Sequence, residues 1–86
     1  MNTINLNNTS GFIRKTAVLG RDNVELLLTW NDYDGHWMLS VGDFLHGVRV
    51  NPGRVLFRNA DGILVAPDTV GKLTLNRLEW WPNVMG

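Results

Sequence analysis

The chain has 86 residues, eight of them basic and eight acidic, and it contains no cysteine. A chain this short forms one domain and buries only about 60–65% of the surface that its unfolded form exposes. The composition excludes disulfides and cysteine-bound metals, and the scattered, balanced charges argue against a nucleic-acid interface, which needs a basic face. A tightly packed sheet, or association with partners, therefore has to provide the stability.

The N-terminal segment, residues 1–11, is rich in Asn and Thr, with Ile4 and Leu6 two positions apart. We expect either an edge strand or a flexible arm, and we favour an arm that orders on contact with a neighbour. The segment lacks the charged and apolar regions of a signal peptide, and no apolar run approaches the roughly 20 residues that span a bilayer. The sequence thus predicts a soluble protein that is made in a cytoplasm.

Two strands follow in close succession. Residues 12–19 combine apolar and β-branched side chains, and they end at Gly20 before a turn over residues 21–23. The central stretch, residues 24–41, places apolar side chains on alternate positions around a polar centre, which is typical of a hairpin with one buried face. We expect these side chains to form the hairpin core: Leu26, Leu28, Trp30, Trp37, Leu39 and Val41.

The second half of the chain alternates short apolar segments with turns. Apolar segments occupy residues 48–50, 55–57 and 63–65, and Asn-Pro-Gly and Asn-Ala-Asp-Gly turns separate them. Residues 73–78 predict a terminal strand that leads to the Trp-Trp-Pro ending. Six or seven short strands indicate an all-β fold, a single antiparallel sandwich or barrel over residues 12–86.

The polar hairpin centre resembles a metal loop only in part. Asn31, Asp32 and Asp34 match the start of a calcium loop, but Val41 or its neighbour replaces the distal Glu that such a loop needs. A turn stabilised by Asx side chains is the better interpretation. The spacing of His36 and His46 also matches no metal motif.

Catalytic signatures are absent from the sequence. Asp22, Asp43 and Glu79 could meet in space, but each lies in a turn or at a strand end, where acidic side chains usually face water. Ser10 and Ser40 stand outside any nucleophile elbow. We therefore expect no enzymatic activity, no cofactor and no bound metal.

The adjacent tryptophans near the C-terminus indicate an interface. Neighbouring residues in a strand point to opposite faces, so both can be buried only if both faces are covered. In a small chain, another subunit can supply the second cover, since Trp is enriched at interfaces. The candidate interface residues are Trp80, Trp81, Phe44 and Phe57.

A family pattern runs through about residues 24–78. An aromatic–Asn pair, Trp30-Asn31, closes one strand, and W-x-L-x-V-x-D follows at residues 37–43. A Gly before alternating apolar residues and a second Gly before an apolar pair come next: Gly47, Val48, Val50, Gly53, Val55 and Leu56. This pattern resembles the small all-β plug-type baseplate proteins of contractile-tailed bacteriophages. The short connector at residues 44–46 and the Trp-Trp-Pro ending depart from that pattern.

The resemblance implies a structural virion protein at the distal end of a phage tail, near the hub and spike. It implies no catalysis and no cofactor, and it offers no active-site residue. The implied partners are other baseplate, hub, spike or tube proteins and further copies of the chain, with a trimer favoured by analogy with hub symmetry. Neither nucleic acid nor a membrane is an expected partner.

Two other functions remain open from the sequence. Exposed aromatic side chains can stack on sugars, so a carbohydrate-binding module for host-surface attachment is the main alternative, with Trp80, Trp81 or Tyr33 as platforms. A small toxin-system or regulatory β protein is the third.

Overall fold

Eight strands make up the regular structure of the computed structural model, which describes residues 1–68 and 70–83. The all-β prediction is confirmed, with eight strands in place of six or seven. Thr69 and residues 84–86, which belong to the predicted domain, lie outside the described residues. The strands are β1 (Asn2–Asn5), β2 (Phe12–Leu19), β3 (Asp22–Asn31), β4 (His36–Val41), β5 (Leu45–Arg49), β6 (Val55–Asn59), β7 (Gly62–Val65) and β8 (Arg77–Pro82).

The strands form two antiparallel four-stranded sheets. Sheet 1 has the order β1-β8-β7-β6, and sheet 2 has the order β2-β3-β4-β5. Sheet 2 is a meander, because each strand pairs with the next one in the sequence. The described part of the chain contains no helix that is long and apolar enough to cross a membrane.

One hydrophobic core unites the two sheets, as in a β-sandwich. Alternate residues of β3 and β4 supply the sheet 2 side, and alternate residues of β7 and β8 supply the sheet 1 side. The central hairpin pairs Leu26 with Val41, Leu28 with Leu39 and Trp30 with Trp37. These hairpin residues are buried apart from Trp30, which is half-buried.

The N-terminal segment forms an edge strand that pairs within its own chain, which is the edge-strand alternative and not the flexible arm that we favoured. Strand β1 pairs with β8, with Ile4 opposite Leu78. The Leu6 N–H donates to the Asn76 carbonyl at 2.8 Å, and the Leu6 side chain is buried. The two apolar side chains, Ile4 and Leu6, explain this placement because both reach the shared core.

The terminal strand starts later than predicted, at Arg77 instead of residue 73. A turn occupies the preceding residues: the Thr74 N–H donates to the Gly71 carbonyl, and the Gly71 N–H donates to Thr74 Oγ1. Leu73 is consequently exposed although Leu75 is buried. The alternating pattern at residues 73–76 therefore belongs to a connector that covers one end of the core.

The strand predicted at residues 48–50 lies earlier, at Leu45–Arg49. Its register with β4 shifts between Leu39 and Val41. At this irregularity Gly47 adopts a positive φ of 59°, and its N–H donates to Ser40 Oγ. Glycine adopts this backbone conformation without steric cost, which explains its presence inside the strand.

We expect Trp37→Ala to leave the protein unfolded. The indole is fully buried, and truncation of a buried Trp costs about 3–5 kcal/mol, which is comparable to the whole stability of a domain this small. Circular dichroism on purified protein measures the outcome. Tyr33→Ala is the matched control, because Tyr33 is 96% exposed in the same hairpin. A Trp37→Ala variant that melts like the wild type would contradict the assignment of Trp37 to the core.

Candidate interaction surface

The two hairpin tryptophans connect the sheets at one end of the sandwich. Their rings meet edge-to-face, with centroids 5.8 Å apart, an arrangement that aromatic pairs favour. The Trp37 Nε1–H donates to the Gly71 carbonyl at 2.9 Å. Gly71 lies in the connector between β7 and β8, so this bond ties sheet 2 to sheet 1. Trp30 and Trp37 therefore serve the fold.

The predicted interface residues separate into two buried and two exposed side chains. Trp80 is 2% exposed and Trp81 is 45% exposed, as expected for neighbours on opposite faces of a strand. Phe57 is 9% exposed, and it packs against Phe44, which is 62% exposed. The structure corrects the prediction for Trp80 and Phe57, because both belong to the core. Trp81 and Phe44 remain available for contact.

Trp81 belongs to an apolar block on the outer face of sheet 1. Cross-strand pairing places Trp81 beside Ile63 and places Val65 beside Val55. Ile63 and Val65 are two positions apart on β7, so the two pairs adjoin each other. We name these four residues, Trp81, Ile63, Val65 and Val55, the Trp81 face. Trp81 and Val55 are exposed, and Ile63 and Val65 are half-buried.

Charged side chains border the Trp81 face on two sides. Arg58 stands beside Ile63 on the β6 side, and it is exposed. Glu79 stands beside Val65 on the β8 side, where Arg77 Nε lies 3.6 Å from its carboxylate. An apolar centre with a polar rim is the usual anatomy of a protein–protein contact.

The sequence did not predict Val55, Ile63 and Val65 as surface residues. The sequence contains part of the information, since Ile63 and Val65 alternate with the buried Leu64 and therefore lie on the other face of β7. Recognition of the face also requires the register of β6, β7 and β8, because residues from three strands build it. A short apolar run such as Ile-Leu-Val does not by itself tell which side chains face outward.

The hairpin loop is an Asx turn. Asn31 Oδ1 accepts the N–H groups of Tyr33 and Asp34 at 3.0 and 3.1 Å. The Lys72 ammonium, from the connector between β7 and β8, lies 3.4 Å from the Asp32 carboxylate and forms an ion pair with it. Among residues 1–68 and 70–83, no cluster of three or more metal-ligating side chains is present.

The histidines lie apart in separate environments. His36 is half-buried on β4, with Nε2 3.1 Å from the Met38 thioether. Its Nδ1 is buried and has no hydrogen-bond partner among the described residues. His46 is exposed on β5.

The three carboxylates that could meet in space have different surroundings. Asp22 accepts a hydrogen bond from Asn59 at 3.1 Å, and Glu79 pairs with Arg77 on the outer face of sheet 1. Asp43 is exposed in the turn between β4 and β5. The described contacts therefore provide no carboxylate pair for acid–base chemistry.

An open cleft of about 350 Å³ lies beside the connector between β7 and β8. Its lining residues are Pro67, Asp68, Thr74, Asn76 and Arg77. The lining is mostly polar, and Arg77 is already paired with Glu79. Small-molecule sites are usually apolar pockets with a few convergent polar groups, and this cleft has a different character.

The opposite end of the sandwich is held by a polar contact between two turns. Asp61 accepts hydrogen bonds from the backbone N–H of Arg21 at 3.0 Å and from its guanidinium at 3.4 Å. The backbone hydrogen bond is the main cause that lowers the pKa of Asp61, and the Arg21 guanidinium adds to it. The carboxylate therefore stabilises the fold in its ionised form.

Comparison with protein-family models, with curated proteins and with solved structures gives no match.

We expect Asp61→Asn to lower the melting temperature at about pH 7. A carboxyl with a depressed folded-state pKa contributes stability above its unfolded-state pKa of about 3.9, and this contribution is lost as the pH falls through the lower, folded-state value. The difference between wild type and variant should therefore shrink on acidification below about pH 4. Thermal melts across this range measure it. Arg21→Gln is the control: it keeps the backbone hydrogen bond to Asp61, so its melting temperature should retain most of the wild-type dependence on pH. A difference in melting temperature between wild type and Asp61→Asn that does not change with pH would contradict this role of the Asp61 carboxylate.

The hairpin loop should tolerate the loss of either aspartate. Asp32→Ala and Asp34→Ala remove exposed contacts worth about 1 kcal/mol or less, because water replaces them. Asn31→Ala should cost more than either, since Asn31 Oδ1 holds two backbone N–H groups. Thermal melts with and without a chelator measure both effects. A drop of several degrees on chelation would restore the calcium interpretation.

Proposed function

We propose that the protein is a structural subunit of a phage tail baseplate, of the plug or hub-associated kind, that binds neighbouring proteins through the Trp81 face. The Trp81 face is the observation that carries the proposal. Trp81 and Val55 are exposed at either end of the block, and Ile63 and Val65 connect them. A contiguous apolar patch on a protein surface usually marks an interaction site.

The family resemblance supports the phage setting. Its pattern residues are largely structural: Trp37, Leu39, Val41 and Val50 are buried in the core. The resemblance therefore rests on core residues, and it supports the proposed role by analogy without naming contact residues. Further copies of the chain, hub, spike and tube proteins are the proposed partners, and a copy number of three stays a prediction.

The carbohydrate-binding alternative has less support from the geometry. Trp80 is buried and cannot stack on a sugar. Trp81 lies on sheet 1, whereas Tyr33 lies in the β3–β4 loop of sheet 2, so these aromatic side chains do not form one platform. The cross-strand partner of Trp81 is the aliphatic Ile63, which suits an apolar protein surface better than a polyhydroxylated ligand.

Photo-cross-linking in purified tail particles tests the proposal. A photoreactive phenylalanine analogue at position 81 should form a cross-link to a hub, spike or tube protein, identified by mass spectrometry. The same analogue at position 33 is the matched control, because Tyr33 is more exposed but lies outside the Trp81 face.

Two outcomes would contradict the proposal. One is absence of the protein from the purified particles. The other is equal cross-linking from positions 81 and 33, which would reflect exposure alone. Saturable binding of an oligosaccharide that Trp81→Ser abolishes would favour the carbohydrate alternative instead.

Trp81→Ser should reduce incorporation into particles by about tenfold or more, because a Trp that anchors an interface often carries about 2 kcal/mol or more of the binding free energy. Its effect on the free protein should be small, since the indole is partly exposed. Quantitative mass spectrometry of particles and a thermal melt of the free protein separate the two effects. Tyr33→Ser should incorporate like the wild type.

A further inference from the structure

Each of the two sheets ends in two edge strands. An edge strand presents unpaired backbone N–H and C=O groups, which can pair with another chain. Natural sheets oppose such pairing with charged side chains, inward-pointing charges and bulges. The edges β2, β5 and β6 carry these features, whereas β1 is protected only by its short length of four residues.

Strand β2 is protected by Arg14 and Lys15. Ile13 and Ala17 are buried, so alternation along the strand places Lys15 on the core-facing side, where it is nonetheless exposed. An inward-pointing Lys at a sheet edge disfavours the addition of a further strand. The longest edge of the sandwich is therefore blocked.

Strands β5 and β6 are interrupted by irregular pairing. The register between β4 and β5 shifts next to Val41, and the register between β6 and β7 shifts next to Val55. Each strand also carries an exposed arginine, Arg49 in β5 and Arg58 in β6. Bulges and charges both oppose strand addition at these edges.

Strand β1, with the sequence Asn-Thr-Ile-Asn, has no charge, proline or glycine and pairs with β8 in a regular register. In an antiparallel pair, every second residue of a strand forms hydrogen bonds with the neighbouring strand. The Leu6 N–H bonds to the Asn76 carbonyl, so the even-numbered residues of β1 are the ones that bond to β8. The N–H and C=O groups of Thr3 and Asn5 therefore point away from β8. Both residues are exposed, and no described residue outside the strands pairs with these groups.

We propose that β1 pairs antiparallel with β1 of a second copy of this chain, about a two-fold axis at Thr3. The pairing joins sheet 1 of both copies into one continuous sheet of eight strands. This contact goes beyond the proposed use of the Trp81 face, which it leaves exposed to other partners. It is also independent of the predicted three-fold contact, since two-fold and three-fold interfaces can coexist in one assembly.

The sequence of β1 suits a second copy because it is self-complementary. A two-fold axis at Thr3 sets Thr3 opposite Thr3 of the second copy and sets Asn2 opposite Ile4. Thr–Thr cross-strand pairs are favourable, and this register opposes no like charges. Strand addition also covers Ile4, which is half-buried at the open side of the core.

The contact is small because β1 has only four residues. Interfaces below about 1,200 Å² belong to weak or transient association. We therefore expect a dimer that forms at about 10⁻⁴ M and dissociates on dilution.

Charge pairing at position 3 tests the register directly. The weight-average mass of the wild type, measured by analytical ultracentrifugation, should rise from 9.7 kDa towards twice that value as the concentration increases. Thr3→Glu should stay at the mass of one chain, because the two-fold axis sets two carboxylates opposite each other and Glu79, which lies opposite position 3 in the same chain, adds to the repulsion. Thr3→Lys should lose less association, because Glu79 of each copy partly balances the two ammonium groups. An equimolar mixture of the two variants should associate again.

Thr3→Val is the matched control. It keeps the backbone N–H and a β-branched side chain, so it should associate within about twofold of the wild type. Circular dichroism and thermal melts establish that each variant is folded.

The proposal is overturned if the wild type keeps a mass of 9.7 kDa up to about 1 mM. It is equally overturned if Thr3→Glu associates as strongly as the wild type, since the contact then lies elsewhere. Neither result changes the cross-link that we expect from position 81. Failure of the β1 contact and failure of the proposed function are therefore distinguishable.

Discussion

The hydrogen bond from the Trp37 indole to the Gly71 carbonyl, with the full burial of that indole, is the interaction on which the sandwich depends. Trp37 belongs to sheet 2, and Gly71 belongs to the connector that links two strands of sheet 1. The bond satisfies a buried donor that would otherwise cost about 1–3 kcal/mol. It also fixes the connector over the end of the core, where Trp30 packs against the same ring. Without cysteines, the chain relies on such packing to hold its sheets together.

A sandwich this small buries one face of each sheet and leaves the other to solvent. On sheet 1 the outer face carries Trp81, Ile63 and Val55 together with Arg58 and the Arg77–Glu79 pair. The inner neighbour of Trp81, Trp80, is almost fully buried opposite Leu64. Trp80 thus stabilises the core, and Trp81, on the other face of the same strand, is available for contact with another protein.

The central hairpin was predictable because two independent signals agree there. Alternating apolar residues define both strands, and the Asx side chains define the turn. The N-terminal edge strand was harder to predict, since Asn and Thr dominate it and only Ile4 contacts the core. Residues 73–76 imitate a strand by alternation, but the turn at Gly71 and Thr74 prevents pairing. The hydrogen bonds within this turn are local, but the Trp37 indole that also holds the Gly71 carbonyl lies 34 residues away, and a local pattern does not show that contact.

The candidate interaction surface was predictable only in part. Adjacent tryptophans implied that one of them faces outward, but the choice between Trp80 and Trp81 depends on which side of β8 meets Leu64. The contributions of Val55 and Ile63 depend on cross-strand register, which includes a bulge in β6. A bulge shifts side chains between faces, so the outer face could not be derived from sequence periodicity.

A cryo-electron microscopy reconstruction of an intact tail end would show what the outer face of sheet 1 contacts. We expect a neighbouring protein to cover Trp81, Ile63 and Val65, with the Trp30–Trp37 pair still inside the sandwich. A reconstruction in which this chain contacts its neighbours elsewhere, with the outer face of sheet 1 open to solvent, would contradict this expectation.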